Sequence, residues 1–383
     1  MIRTHRVAAV LGMAGLAGAM TAPAVFANGT PATAVERFSV RLGDFTSTVR
    51  LDHPRSGRAP LIILVHGAGP TDLDANVAGE DGEIRSHIFR DISRHLTTRG
   101  FAVLRYNKRY VTGPAQTTDR FGTLTMRQMR DDVETVMRTA REDARVAPHV
   151  VPDRMFLYGW SEGSSVVADV ASRHPGLAGV IFQGGVNVTW RAGLLDQVGR
   201  VAVPYLRRFT RDGDTVTPST LRRAWRAEGG MQAKEWTAML ATDIGRPDPV
   251  VSPAFDTDRD GRIAIGRELL PNAPAFVDAL LAPTGVLSRW GTGRGLPSVA
   301  ARAPRLRMPV LSLQGRQDGN VPPDSVRLLH ERLARSGHRD HTLLVYPGLG
   351  HSLGPARAPS DDRILPIGAR PLRDLTGWLR HRS

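Results

Sequence analysis

The chain contains no cysteine, which excludes disulfides, zinc–thiolate sites and thiol nucleophiles. Lysine is almost as scarce: of 51 basic residues, all but Lys108 and Lys234 are arginines. Against 37 acidic residues these give a formal charge of +14, but no run of five like charges occurs. Neither a helix-turn-helix pattern nor an aromatic RNA-binding signature accompanies the excess. A dispersed arginine surplus reads as coding bias rather than a phosphate-tracking stripe, so nucleic acid is not an expected partner. Long apolar runs are missing as well. The run at residues 7–20 falls short of the roughly 20 residues that a membrane-spanning helix needs, and stable membrane insertion is not expected. What remains, 41% hydrophobic and 23% charged residues, is the composition of a globular protein with a substantial core.

Residues 1–27 combine Arg3 and Arg6, the apolar run, and Val25-Phe26-Ala27 with small residues where a signal peptidase cuts. They read as a secretory signal peptide and predict a secreted protein. No cysteine stands at the cleavage site and no twin-arginine pair precedes the run, which excludes a lipid anchor and the twin-arginine route.

Beyond this segment, β-branched runs alternate with amphipathic stretches, the pattern of a mostly parallel sheet covered by helices on both faces. Eight strands are expected, at residues 38–40, 48–51, 61–65, 102–106, 155–158, 180–183, 310–314 and 342–346. Helices are expected over 84–99, 124–143, 164–173, 324–335 and 371–380. The alternation breaks between 187 and 302, a span holding Trp190, Trp225, Trp236 and Trp290. A mainly helical insertion there would form a cap, dividing the chain into residues 28–186, the cap at 187–302, and a second core part at 303–383.

Tyr158-Gly159-Trp160-Ser161-Glu162-Gly163 follows an apolar strand and opens a helix. In that setting Gly-x-Ser-x-Gly turns a strand sharply into a helix and pushes the serine hydroxyl out on a strained corner. Ser161 is therefore the candidate nucleophile, and the Glu162 N–H, at the positive end of a helix dipole, a candidate oxyanion donor. A second apolar strand runs directly into His66-Gly67-Ala68-Gly69-Pro70, whose small residues allow close approach to a carbonyl oxygen; the Ala68 N–H is the second donor. His66 reads as a structural member of that loop. A serine needs a base, and the base an orienting carboxylate. Asp318 follows the strand at 310–314, and His351 follows the strand at 342–346, both at the carboxyl edge where reacting groups gather in such sheets. Asp324 is the alternative acid. His330, His338 and His341 are rival bases, the first mid-helix and the others before a strand.

The ordered set His66-Gly67-Ala68-Gly69-Pro70, Arg105-Tyr106-Asn107-Lys108-Arg109, Gly159-Trp160-Ser161-Glu162-Gly163, Gln314-Gly315 with Asp318, and Gly350-His351 resembles the α/β-hydrolase superfamily. More narrowly it is similar to serine carboxylesterases and acyl hydrolases with Arg-Tyr-Asp-Lys-Arg and Gly-x-Ser-Glu-Gly stretches. The departures are Asn107 in place of an acid and Tyr110 in place of glycine. The resemblance implies an α/β-hydrolase fold with an inserted cap, hydrolysis of a small-molecule carboxylic ester through an acyl-enzyme, and no cofactor. A peptidase or amidase would use the same residues; a non-catalytic hydrolase-like binding protein would usually lack one of them.

Two further patterns stand apart. Asp256-Thr257-Asp258-Arg259-Asp260-Gly261 matches the first half of a calcium loop, but the twelfth position is Arg267 and Glu268 comes one place late; an acidic surface turn explains it equally. The tryptophans of the insertion either line an acyl pocket or hold a helical subdomain together.

Overall fold

The computed structural model describes residues 33–79 and 82–383; residues 1–27, which read as a signal peptide in the sequence, lie outside them. The eight expected apolar runs pair into a single sheet made of β1 (Thr33–Leu42), β2 (Phe45–Pro54), β3 (Ala59–Val65), β4 (Ala102–Tyr106), β5 (Val150–Trp160), β6 (Gly179–Gln183), β7 (Val310–Gly315) and β8 (His341–Tyr346). Its spatial order is β1-β2-β4-β3-β5-β6-β7-β8. Only the β1–β2 and β2–β4 pairings are antiparallel; the remainder are parallel. Parallel strands must be covered on both faces, which explains why β3, β4 and β6 are buried at nearly every position.

Helices α1 (Ile88–Thr97), α2 (Met126–Glu142) and α3 (Glu162–Ala171) follow β3, β4 and β5. The α2 start is set by a reciprocal capping box between Thr125 and Gln128. Its apolar stripe, Met126, Met129, Val133, Val136 and Met137, is buried in one of two cores that sandwich the sheet. The helix expected over 84–99 begins only at Ile88. Its first turn is taken by a ribbon in which Ile84–His87 pairs with Asn76–Ala78, because Asn76 and His87 fall into antiparallel register and Ser86 Oγ reaches the Ile364 carbonyl.

Between β6 and β7 come α4 (Trp190–Gln197), a π-helical turn (Val198–Ala202), α5 (Val203–Arg207), α6 (Pro218–Arg226), α7 (Met231–Met239), α8 (Leu270–Leu281) and α9 (Val299–Arg302). Most of this insertion has a core of its own around Val201, Tyr205, Leu221, Trp236, Phe255, Leu269 and Val277. From Leu296 onward the chain changes allegiance: Leu296, Val299, Ala300 and Ala303 pack into the main core beside α3. After β7, α10 (Ser325–Arg335) and, after β8, α11 (Ala369–Arg380) complete the covering layers. Among the described residues, no helix is long and apolar enough to cross a membrane.

Candidate active site

Ser161 sits between the end of β5 and the start of α3 with φ 55° and ψ −122°. A serine gains nothing by itself from a positive φ, a conformation that costs on the order of 1–3 kcal/mol and is held by its surroundings. Those surroundings are tight. A Cβ on Gly159 would lie 2.6 Å from the Gly163 carbonyl oxygen, and one on Gly163 would lie 2.4 Å from that of Val65. Only hydrogen at these positions lets α3 close on β5 and β3, so the two glycines fix the corner. Ser161 N donates to the Gln183 carbonyl (2.9 Å), locking the corner to β6.

The loop after β3 lies against this corner, since a Cβ on Gly67 would sit 3.1 Å from Ser161 Cβ. His66 is wholly committed to holding it: Nε2 donates to the Tyr106 carbonyl (2.5 Å) and Nδ1 faces the Thr71 hydroxyl (3.1 Å). Burial, with Lys108 nearby, pushes its pKa down to about 3, so it stays neutral.

The loops after β7 and β8 bring Asp318 and His351 together, with His351 Nδ1 donating to Asp318 Oδ2 at 2.8 Å. Both are buried. Asp318 Oδ2 also accepts from Gln314 Nε2 (2.9 Å), while Oδ1 accepts from the N–H groups of Asn320 (2.8 Å) and Val321 (2.9 Å). Burial opposes the Asp318 charge, but His351 and these hydrogen bonds outweigh it and hold the carboxyl below its usual range. For His351, burial likewise acts against the charge, and the neighbouring Asp318 carboxylate raises its pKa above 6.5. His351 Nε2 is buried with no hydrogen-bond partner among the described residues. Close packing places the ring beside the corner: a Cβ on Gly184, the residue after Gln183, would lie 2.6 Å from His351 Nδ1. Trp160 lies 5.8 Å from the His351 ring, centroid to centroid.

The alternatives are placed elsewhere. Asp324 is 73% exposed and pairs with Arg316. His330 bonds His341 (2.8 Å) and Ser312 Oγ (3.0 Å), and His338 bonds the Met308 carbonyl (2.9 Å). Asp256, Asp258 and Asp260 bring carboxylate oxygens within 4.8 Å of one another. Glu268, however, spends its carboxylate on the N–H groups of Thr257 (2.8 Å) and Ala264 (2.7 Å).

Several side-chain contacts at the site were not anticipated from the sequence. Glu162 is buried, and its carboxylate receives Lys108 Nζ (3.1 Å), Trp290 Nε1 (2.6 Å) and Arg289 Nε (3.3 Å). Burial would raise its pKa, but the charges of Arg289 and Lys108 prevail and bring it to about 2. Lys108 Nζ donates in turn to the carbonyls of Gly67 (2.7 Å) and Gly69 (3.2 Å), tying Glu162 to the β3 loop. Burial pushes Lys108 down to about 8 against the pull of Glu162. Trp290 comes from the insertion and stacks on Trp190 at 4.1 Å, so two of the four tryptophans join the insertion to the serine corner while Trp236 fills its interior. Asp362 Oδ2 accepts from both the His351 N–H (2.7 Å) and the Gly319 N–H (2.9 Å), binding the two loops together; burial, then the charge of Asp318, raises its pKa to about 6. Arg200, from the insertion, donates to the Asp318 carbonyl and to that of Val321 (3.2 Å).

The two departures in the stretch after β4 also find a reason. Asn107 Oδ1 accepts from the Leu73 N–H (2.9 Å), an acceptor role that needs no charge. Tyr110 has φ 69°, the left-handed region that suits glycine; its hydroxyl donates to Asp44 (2.9 Å) and its ring meets Phe45 at 5.8 Å, contacts that offset the strain.

A mostly parallel sheet of this strand order, with serine at the β5–α3 corner, an acid after β7 and a histidine after β8, defines the α/β-hydrolase fold, and the chain has that fold. One stretch of 119 residues is 30% identical to esterase EstD of Thermotoga maritima, covering 31% of this chain and 25% of that protein; the chain thus matches about a quarter of that relative's length. Among solved structures, an acylaminoacyl peptidase of Pyrococcus horikoshii superposes with a TM-score of 0.51 at 12% identity, over 92% of this chain and 42% of that one. A dienelactone hydrolase from Anabaena variabilis gives 0.48 at 11% identity, over 92% and 99%. No protein-family model matches the chain.

Proposed function

We propose that the protein is a secreted serine hydrolase that cleaves small-molecule carboxylic esters through an acyl-enzyme. The observation that carries this reading is the buried Asp318–His351 pair, 2.8 Å apart, whose imidazole keeps Nε2 without a hydrogen-bond partner among the described residues and packs against Gly184, the residue after the one that anchors the strained Ser161 corner. In this reading Ser161 Oγ attacks the ester carbonyl carbon as His351 Nε2 takes its proton. Asp318, accepting from Nδ1–H, fixes the tautomer that leaves Nε2 basic and stabilises the imidazolium. The oxyanion accepts from the N–H groups of Ala68 and Glu162. Glu162 is the first residue of α3, so its N–H has no carbonyl within the helix to reach. For Ala68 the support is the Lys108 bond: across a trans peptide, a Gly67 carbonyl directed at Lys108 turns the Ala68 N–H the opposite way. Collapse breaks the ester C–O bond, His351 returns the proton to the departing alkoxide, and water then attacks the acyl-serine with the same base.

The ester preference draws on the likeness to esterase EstD, and export on residues 1–27. Replacing Ser161 with alanine tests the core of the reading: hydrolysis of p-nitrophenyl acetate should fall at least about 10⁴-fold with the melting temperature unchanged. Retention of most of the activity in that variant refutes Ser161 as the nucleophile.

A further inference from the structure

At the opposite end of β5 from Ser161, the outer hairpin β1–β2 meets the turn before β5, and there Glu36, His53 and His149 converge. One ligating atom from each lies within 4.8 Å of the others. Glu36 and His53 share a face of the hairpin, because His53 is paired with Ala34, two residues before Glu36. The turn carrying His149 is clamped on both sides by Arg58, which donates to the carbonyls of Ala147 (3.0 Å) and Val150 (2.8 Å).

His53 is 2% exposed, and its two nitrogens differ. Nδ1 is occupied by the Pro54 carbonyl at 2.8 Å. As a donor to that carbonyl, Nδ1 carries the ring proton and leaves Nε2 as a lone pair, and Nε2 is buried without a hydrogen-bond partner among the described residues. Leaving a buried polar atom unmatched is costly, so such atoms in native proteins call for an explanation. The lone pair faces Glu36 Oε1 at 3.8 Å, too long for a hydrogen bond. The His149 ring lies over that of His53 with centroids 3.9 Å apart and planes 25° from parallel. A backbone carbonyl fixing the tautomer of a histidine whose other nitrogen is free is the arrangement that orients metal-ligating imidazoles.

We propose that Glu36, His53 and His149 form a binding site for a divalent transition metal of the zinc type, with water in the fourth position. Two imidazoles and one carboxylate suit zinc and its neighbours, whereas calcium and magnesium require oxygen ligands throughout. Ligands about 2.0–2.2 Å from a tetrahedral ion lie roughly 3.3 Å from each other, so closing the site needs a movement of the order of an ångström. The half-buried His149 and Glu36 side chains are free to make it by splaying from the stack and swinging inward. The bound ion braces the sheet's outer hairpin to the start of β5, far from the serine corner, and so acts on stability and not on ester hydrolysis.

The test uses the full chain stripped with EDTA and titrated calorimetrically with zinc chloride, alongside His149→Ala, Glu36→Gln and, as a control for the separate histidine cluster, His338→Ala. One wild-type site of micromolar or tighter affinity is expected. It should be lost in His149→Ala, weakened at least about tenfold in Glu36→Gln, and kept in His338→Ala. Zinc should raise the melting temperature of wild type by roughly 3–5 °C and leave that of His149→Ala unmoved. Hydrolysis of p-nitrophenyl acetate should be equal in all four proteins. Absence of wild-type zinc binding, binding that survives His149→Ala unchanged, or binding lost only in His338→Ala overturns the proposal.

Discussion

Replacing Lys108 with methionine separates two roles that one ammonium plays at the serine corner. Lys108 Nζ neutralises the fully buried Glu162 carboxylate and holds the carbonyls of Gly67 and Gly69. Removing one partner of a buried ion pair typically costs about 3–5 kcal/mol. Arg289 still stands 3.3 Å from Glu162 with its side chain only 21% exposed, which places the loss near the lower end, about 3 kcal/mol. The second role concerns rate. If the Lys108 bond aims the Ala68 N–H, its loss is equivalent to losing one oxyanion donor, about 10²–10³ in kcat with KM little changed. The double variant Lys108→Met, Glu162→Gln removes the orphaned charge, so it should regain more than half of the lost stability but none of the lost kcat. Urea unfolding and p-nitrophenyl acetate kinetics on wild type and the two variants give both readouts. The pH profile adds a check: burial pushes the Lys108 pKa down to about 8, so a decline of wild-type kcat above that pH that stems from loss of the ammonium charge should be absent from Lys108→Met. Recovery of kcat in the double variant would refute the positioning role, leaving Lys108 as a counter-ion only.

Asp318→Asn should lower kcat by about 10⁴ by reversing the tautomer of His351, whereas Asp324→Asn, at an exposed surface pair, should be indistinguishable from wild type; the reverse order would move the acid to Asp324. Because Asp318 raises the pKa of His351 and the reactive form is the neutral imidazole, kcat/KM should climb with pH through a midpoint above 6.5; a midpoint below 6.5 contradicts the pairing. Asp362→Ala strips two buried N–H groups of their acceptor and should cost about 2–4 kcal/mol in urea unfolding, with a fall in kcat, while Asp362→Asn, which keeps one acceptor oxygen, should recover part of both; equal damage from the two substitutions would argue against the acceptor role.

The candidate site of this protein is largely legible in its local sequence. Ser161, Asp318 and His351 each follow an apolar strand within a few residues. Because parallel strands share a direction, every such follower is delivered to the same sheet edge whatever the distance along the chain. The inner strands β3, β4, β6 and β7 were legible for a related reason, since a strand buried on both faces must be largely apolar. One sequence signal went unused. In a chain that places arginine almost everywhere, the two lysines are both buried, and Lys108 draws three oxygens onto one compact ammonium, where a guanidinium would spread its donors in a planar fork.

What the tertiary structure alone decided are the contacts between distant segments. Asp318 meets His351 across 33 positions in a buried 2.8 Å bond, while Asp324 stays exposed beside Arg316. Trp290 reaches Glu162 across 128 positions; Asp362 joins two loops; Glu36, His53 and His149 meet where a hairpin edge abuts a turn. None of these has a spacing that periodicity could register, because each depends on how separately folded elements dock. The start of α1 shows the same limit at short range. Residues 84–87 carry an acceptable helical pattern, yet pairing with a neighbouring strand claims their backbone first. Local propensity sets what each segment is able to become, and the docking of its neighbours settles which of those states it keeps.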